Sequence, residues 1–175
     1  MCRQKGFTLF ELMLVLVIVA VLIFFAQPFY WGIMQRVESH AIRRHIHDAI
    51  RLAKVESRIR NKDVLICIMN DDVCHRNAQG SLIVFVDMNK NNKYDNKDII
   101  VSKERLSLKY GIISVNASAN RDYMKFMGDT GRPRGNFGHI KYCNVLKQEY
   151  HSFQVVVNMH GLVSEKRGDR LDIGC

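Results

Sequence analysis

A run of about 20 apolar residues near the N-terminus, Phe7 to Ala26, constrains this chain more than any other feature. At about 1.5 Å rise per residue, such a helix reaches roughly 30 Å, the thickness of a bilayer core. Glu11 is the only charged residue in the run. A carboxylate in lipid costs about 2.5–3.5 kcal/mol on insertion scales, so a plain anchor leaves Glu11 unexplained and a partner is implied. Arg3 and Lys5 precede the run, and the positive-inside rule places Met1 in the cytoplasm and the bulk of the chain across the membrane. A secretory signal peptide fits less well. The run exceeds a usual h-region, and no Ala-x-Ala-like cleavage site follows it.

The helical pattern continues beyond the grease. Ile42, Ile46, Ala49, Ile50 and Ala53 recur at helical spacing and form one apolar stripe, which predicts a helix to about Arg60. Arg43, Arg44, Arg51, Lys54 and Arg58 occupy the other faces. Pro28 is expected to kink the helix near its middle. After Lys62 the period changes. The runs DVLICIM, SLIVFVD, DIIVS, GIISVNA, HIKYCNV and FQVVVNM are rich in β-branched residues and separated by polar turns, which predicts about six mostly antiparallel strands. With 175 residues and 47% hydrophobic content, the chain supports one domain with a real core. The class is α+β: a long N-terminal helix, with a transmembrane half and an amphipathic half, packed on a β domain.

Gly6-Phe7-Thr8-Leu9-Phe10-Glu11, behind a short basic leader, resembles the leader junction of type IV pilins and type II secretion pseudopilins. That resemblance implies a prepilin peptidase that cuts between Gly6 and Phe7 and methylates the Phe7 amine. It also implies that Glu11 meets the N-terminus of a neighbouring subunit during assembly. The β region is similar to the GspH/FimT family of minor pilins and pseudopilins, on the Cys67–Cys74 segment, SLIVFVDMNKNNKYDNKDIIV and FMGDTGRPRGNFGHIKYC. The expected layout is a leader over 1–6, a transmembrane and assembly helix over 7–27, its amphipathic continuation over 28–62 and a periplasmic β domain over 63–175. The resemblance further implies other minor and major pilins and an inner-membrane assembly platform as partners. The role it implies is a minor pilin of a type IV pilus, with a GspH-like pseudopilin of a type II secretion system as the alternative.

Leader cleavage removes Cys2 and leaves Cys67, Cys74, Cys143 and Cys175, an even set that reads as two disulfides on the oxidising side of a membrane. Four cysteines allow three connectivities; nearness favours Cys67 with Cys74, leaving Cys143 with Cys175 to pin the tail. Zinc is disfavoured because no C-x-x-C pair is present. Asp87, Asn89, Asn91, Asp95 and Asp98 stand at positions 1, 3, 5, 9 and 12 of an EF-hand-like loop, which raises calcium as a cofactor. Two departures oppose it: Asn92 replaces the turn glycine, and Asp98 replaces the bidentate Glu.

The net charge of +9 allows nucleic acid, anionic lipid or acidic protein as partners. Arg132 and Arg134 flank Pro133 in a Gly-rich turn, with Lys141, Lys166 and Arg167 as further cations able to hold DNA phosphates. FimT-like members of the family resemble DNA receptors that use a Gly-Arg-x-Arg motif near the C-terminus. Here Gly131–Arg134 lies in an earlier turn, and the late segment Gly161–Ser164 lacks arginine. An enzyme is not expected. No H-E-x-x-H, G-x-S-x-G or phosphate-binding loop occurs, and His40, His45 and His47 follow a helix-surface pattern.

Overall fold

The computed structural model describes residues 8–77, 79–145, 151–168 and 172–175, without the side chains of residues 26–28. It comprises two compact units, Met1–Arg36 and Val37–Cys175. One helix, α1 (Leu9–Arg60), runs through both.

In the first unit the apolar side chains of α1 from Leu9 to Phe25 are exposed on every face; Leu9, Phe10 and Phe24 are about three-quarters exposed. No single helix among the described residues passes as a membrane span. Leu9–Phe25 does so only together with the helical stretch that starts at Phe29. The expected span, Phe7–Ala26, has both its ends outside the described side chains, as does the expected kink at Pro28.

In the second unit α1 turns amphipathic. Ile42, Ile46, Ala49, Ile50 and Ala53 are buried as one stripe, the spacing that a 3.6-residue turn places on one face. The helix ends in a basic turn, Arg58 and Arg60, that suits the negative pole of its dipole.

Among the described residues nine strands follow: β1 (Val64–Asn70), β2 (Val73–His75), β3 (Ser81–Val86), β4 (Ile99–Arg105), β5 (Gly111–Ala117), β6 (Tyr123–Phe126), β7 (Gly138–Asn144), β8 (Phe153–Val157) and β9 (Val163–Arg167). They form two sheets. One has the order β2-β1-β3-β4, with β6 also paired to β1; the other has the order β5-β7-β8-β9. Every pairing between these strands is antiparallel. Each of the six expected runs supplies most of one strand, β1, β3, β4, β5, β7 or β8. Added to them are β2, β6 and β9, whose three-residue length or interleaved Lys and Glu hid them from a pattern that sought apolar runs.

Both sheets contribute to one core against the helix. Val64, Ile66 and Ile68 of β1, with Leu82, Val84 and Val86 of β3, join the helical stripe; Ile113, Val115, Ile140, Tyr142, Phe153 and Val155 of the other sheet complete it. The alternate residues Leu65, Cys67, Met69, Ile83 and Phe85 form a second cluster on the far face of β1 and β3. Both faces of these two strands are therefore covered, which explains their unbroken apolar runs. The far face is roofed by Cys74, Tyr94 and Tyr123, with the Tyr94 ring edge-on to Phe85 at 5.5 Å between centroids.

Candidate assembly site

Thr8 and Glu11 meet at the start of α1. The Glu11 backbone N–H donates to Thr8 Oγ1 at 3.3 Å, and the Leu12 N–H donates to the Thr8 carbonyl at 3.2 Å. Thr8 therefore caps the helix, and Glu11 is the acidic residue of its first turn. Thr-x-x-Glu is the capping-box spacing, and a carboxylate in the first turn is favoured by the dipole. The Glu11 carboxylate stands among exposed apolar side chains. Gly6 and Phe7 lie outside the described residues.

A second carboxylate, Glu38, ties the helix to the β domain. It accepts the N–H of Lys109 at 2.8 Å and of Tyr110 at 3.1 Å, and the Tyr142 hydroxyl at 2.8 Å. Burial, reinforced by that hydrogen bond to Glu38, pushes the Tyr142 phenol well above its ordinary value. Gly111 makes room for the ring, since a Cβ there would sit 2.3 Å from Tyr142 carbons. The ring stacks on Phe153, whose other neighbours include the Arg43 guanidinium, 4.8 Å from its centroid. Sequence reasoning missed Glu38, because its partners lie 71 to 104 residues away. Arg43 and His47 of the helix also reach Glu165 of β9, at 3.3 and 3.5 Å.

Cys67 is bonded to Cys74, and Cys143 to Cys175. The first bond joins β1 to β2 within a hairpin. The second holds the C-terminus against β7, where Lys141 also donates to the carbonyls of Ile173 and Gly174.

The Asp/Asn loop between β3 and β4 closes on itself. Asp87 accepts the N–H groups of Asn91 and Asn92, Asp98 those of Met88 and Asp95, and Asp95 that of Lys97 with the amides of Asn89 and Asn91. These hydrogen bonds, the Lys97 N–H first, hold the Asp95 carboxyl below its ordinary value. The oxygens a calcium ion would take also accept hydrogen bonds from within the loop. Among the described residues no group of three or more His, Cys, Asp or Glu is arranged for a metal. The loop also carries Tyr94 over Phe85.

The five cations considered for DNA do not share one face. Arg132 lies beside α1, in a groove with Lys54 and Arg58. Arg134 pairs with Asp129, and Arg167 with Glu165. Lys141 and Lys166 lie across Gln154 on the other side of the β5–β9 sheet. Near them, burial and then the charges of Lys141 and Lys166 hold the His139 imidazole below its ordinary value.

A helix that is apolar on all sides in front and striped behind, seated on antiparallel sheets, defines a pilin-like subunit. The chain belongs to the GspH family: the family model described as type II transport protein GspH matches residues 42–161, and the prokaryotic N-terminal methylation motif matches residues 1–26. That motif marks a membrane-anchored N-terminal helix in pilus-type proteins. The fold is similar to the crystal structure of the Pseudomonas aeruginosa type IV minor pilin FimU. The TM-score is 0.54 at 9% identity, over 77% of this chain and 92% of that one. Among curated proteins no sequence matches this chain.

Proposed function

We propose that this chain is a minor pilin of a type IV pilus that helps prime assembly in or near the fibre tip. A prepilin peptidase cuts between Gly6 and Phe7 and methylates the new amine. The helix then holds the subunit in the inner membrane as a single pass, with the β domain in the periplasm, until other pilins and the assembly platform draw it into the fibre. It catalyses nothing itself; its work is burial of an apolar helix among like helices. One observation carries this reading: an apolar helix exposed on all faces from Leu9 to Phe25, with Glu11 as its only charge. Such a surface needs lipid or other helices around it. A positive N-terminus on a neighbouring subunit would neutralise Glu11 and remove its lipid penalty.

Mass spectrometry of the protein extracted from membranes tests this. The expected N-terminus is N-methylated Phe7; a chain that still begins at Met1, or an Ala-x-Ala-type cut, contradicts it. The name of the matching family model favours a second reading, a minor pseudopilin of a type II secretion system. Deleting the gene separates the two: loss of surface fibres with secretion intact supports the pilus, and the reverse supports secretion.

A further inference from the structure

The flank of α1 that faces the β6–β7 and β8–β9 turns carries a groove of about 660 Å³ whose described walls are cationic and neutral. His47, Arg51, Lys54 and Arg58 line one side, at spacings of four, three and four residues that place them in one row along the helix. Arg132 and His160 line the other, and among the described residues no carboxylate lines the groove. The spacing of the walls is set by close packing at Gly131. Its φ is +64°, and a Cβ there would lie 2.6 Å from Arg58 Cγ and 3.0 Å from the Lys54 carbonyl. Lys54 is held by the Gly161 carbonyl at 2.8 Å, an acceptor without formal charge. Among the described residues Arg58 and Arg132 have no ion-pair partner, whereas Arg51 pairs with Asp48 and His47 with Glu165.

The floor is different. Ile50 lies at its base, and Val55 and Val163 present apolar surface, at 47% and 38% exposure. A phosphate backbone has nothing apolar to set on such a floor, and among the described residues no Phe, Tyr or Trp lines the groove to stack a base. A peptide with carboxylates spaced between aliphatic side chains matches both parts. Its acids meet the unpaired guanidiniums, which are suited to bidentate carboxylate contacts, and its aliphatic groups cover the valines. We infer that this groove is a docking site for an acidic, apolar-interleaved protein segment. That the segment belongs to a neighbouring subunit rests on the assembly reading; the chemistry of the groove does not.

The test uses the full chain in zwitterionic detergent and a short fluorescein-labelled peptide of alternating Glu and Val, read by fluorescence anisotropy. Saturable binding that weakens as salt rises is expected. Arg58→Gln with Arg132→Gln should weaken it about tenfold, while Lys90→Gln with Lys103→Gln, an equal charge loss elsewhere, should leave it unchanged. If the arginine pair disturbs folding, as judged by circular dichroism and free-thiol content, Thr130→Asp places a carboxylate at the groove wall and should give the same loss. No binding at low salt, equal binding by the groove variants, or tighter binding of a DNA oligonucleotide than of the peptide would overturn the inference. None of these readouts depends on leader cleavage or fibre formation, so failure of the assembly reading would be seen separately.

Discussion

The two ends of α1 are built from similar apolar residues and meet opposite fates. From Leu9 to Phe25 the described side chains are exposed all round. From Ile42 to Ala53 one apolar stripe, Ile42, Ile46, Ala49, Ile50 and Ala53, is buried under two sheets, with Leu52 half-buried beside it. The back half completes this chain's own core. The front half leaves its burial to molecules outside the chain. A helix that shows both patterns joins a domain that folds on its own contacts to a segment that becomes stable only in company, and the change of pattern along the sequence marks where one gives way to the other.

The contrast is sharpest for single core substitutions. Ile46→Asp buries a charge with no partner and is expected to destabilise the β domain by about 5 kcal/mol, enough to unfold it. Leu16→Ala, in the front half, should leave the domain's urea midpoint unchanged; a matching loss there would break the comparison. Next in size is the tail disulfide. Cys143→Ser with Cys175→Ser opens a loop of sequence separation 32, and the chain-entropy model gives a loss of about 3–4 kcal/mol. Glu38→Ala strands two backbone N–H groups and the Tyr142 hydroxyl, with an expected loss of about 2–3 kcal/mol in urea melts.

The smallest effect is the dependence on pH. The Tyr142 phenol is raised from 10.0, so its contribution is complete below pH 10 and fades as pH climbs above it. The His139 imidazole is lowered from 6.5, so its contribution is present above pH 6.5 and fades as pH falls below it. Stability should therefore be level between these values and decline on both sides. Lys141→Gln should soften the acid limb by removing one of the charges that oppose protonation of His139. An acid limb that Lys141→Gln leaves untouched would show that His139 does not titrate as described.

Much of this division was legible in the sequence. The helix to Arg60 followed from the period of Ile42, Ile46, Ile50 and Ala53, and the α+β class followed from the shift to short β-branched runs. β9 was not legible. Val163–Arg167 is an edge strand whose charged residues pair with the helix and with each other, and it lacks the alternation of a half-buried strand. The Asp/Asn loop shows a different limit. Carboxylates at alternate positions suit a cation and also suit the N–H groups of a tight turn, so the same spacing fits both. The capping role of Thr8 was readable from Thr-x-x-Glu. The clasp at Glu38 was not, because no local pattern announces a partner more than a hundred residues away.

Replacing Glu11 by alanine separates the two halves in one experiment, with incorporation into sheared fibres measured beside the thermal unfolding of the same protein. The expected result is a β domain that melts unchanged and a subunit that stays in the membrane, depleted from fibres. A variant that enters fibres as the wild type does would show that the carboxylate has no part in assembly.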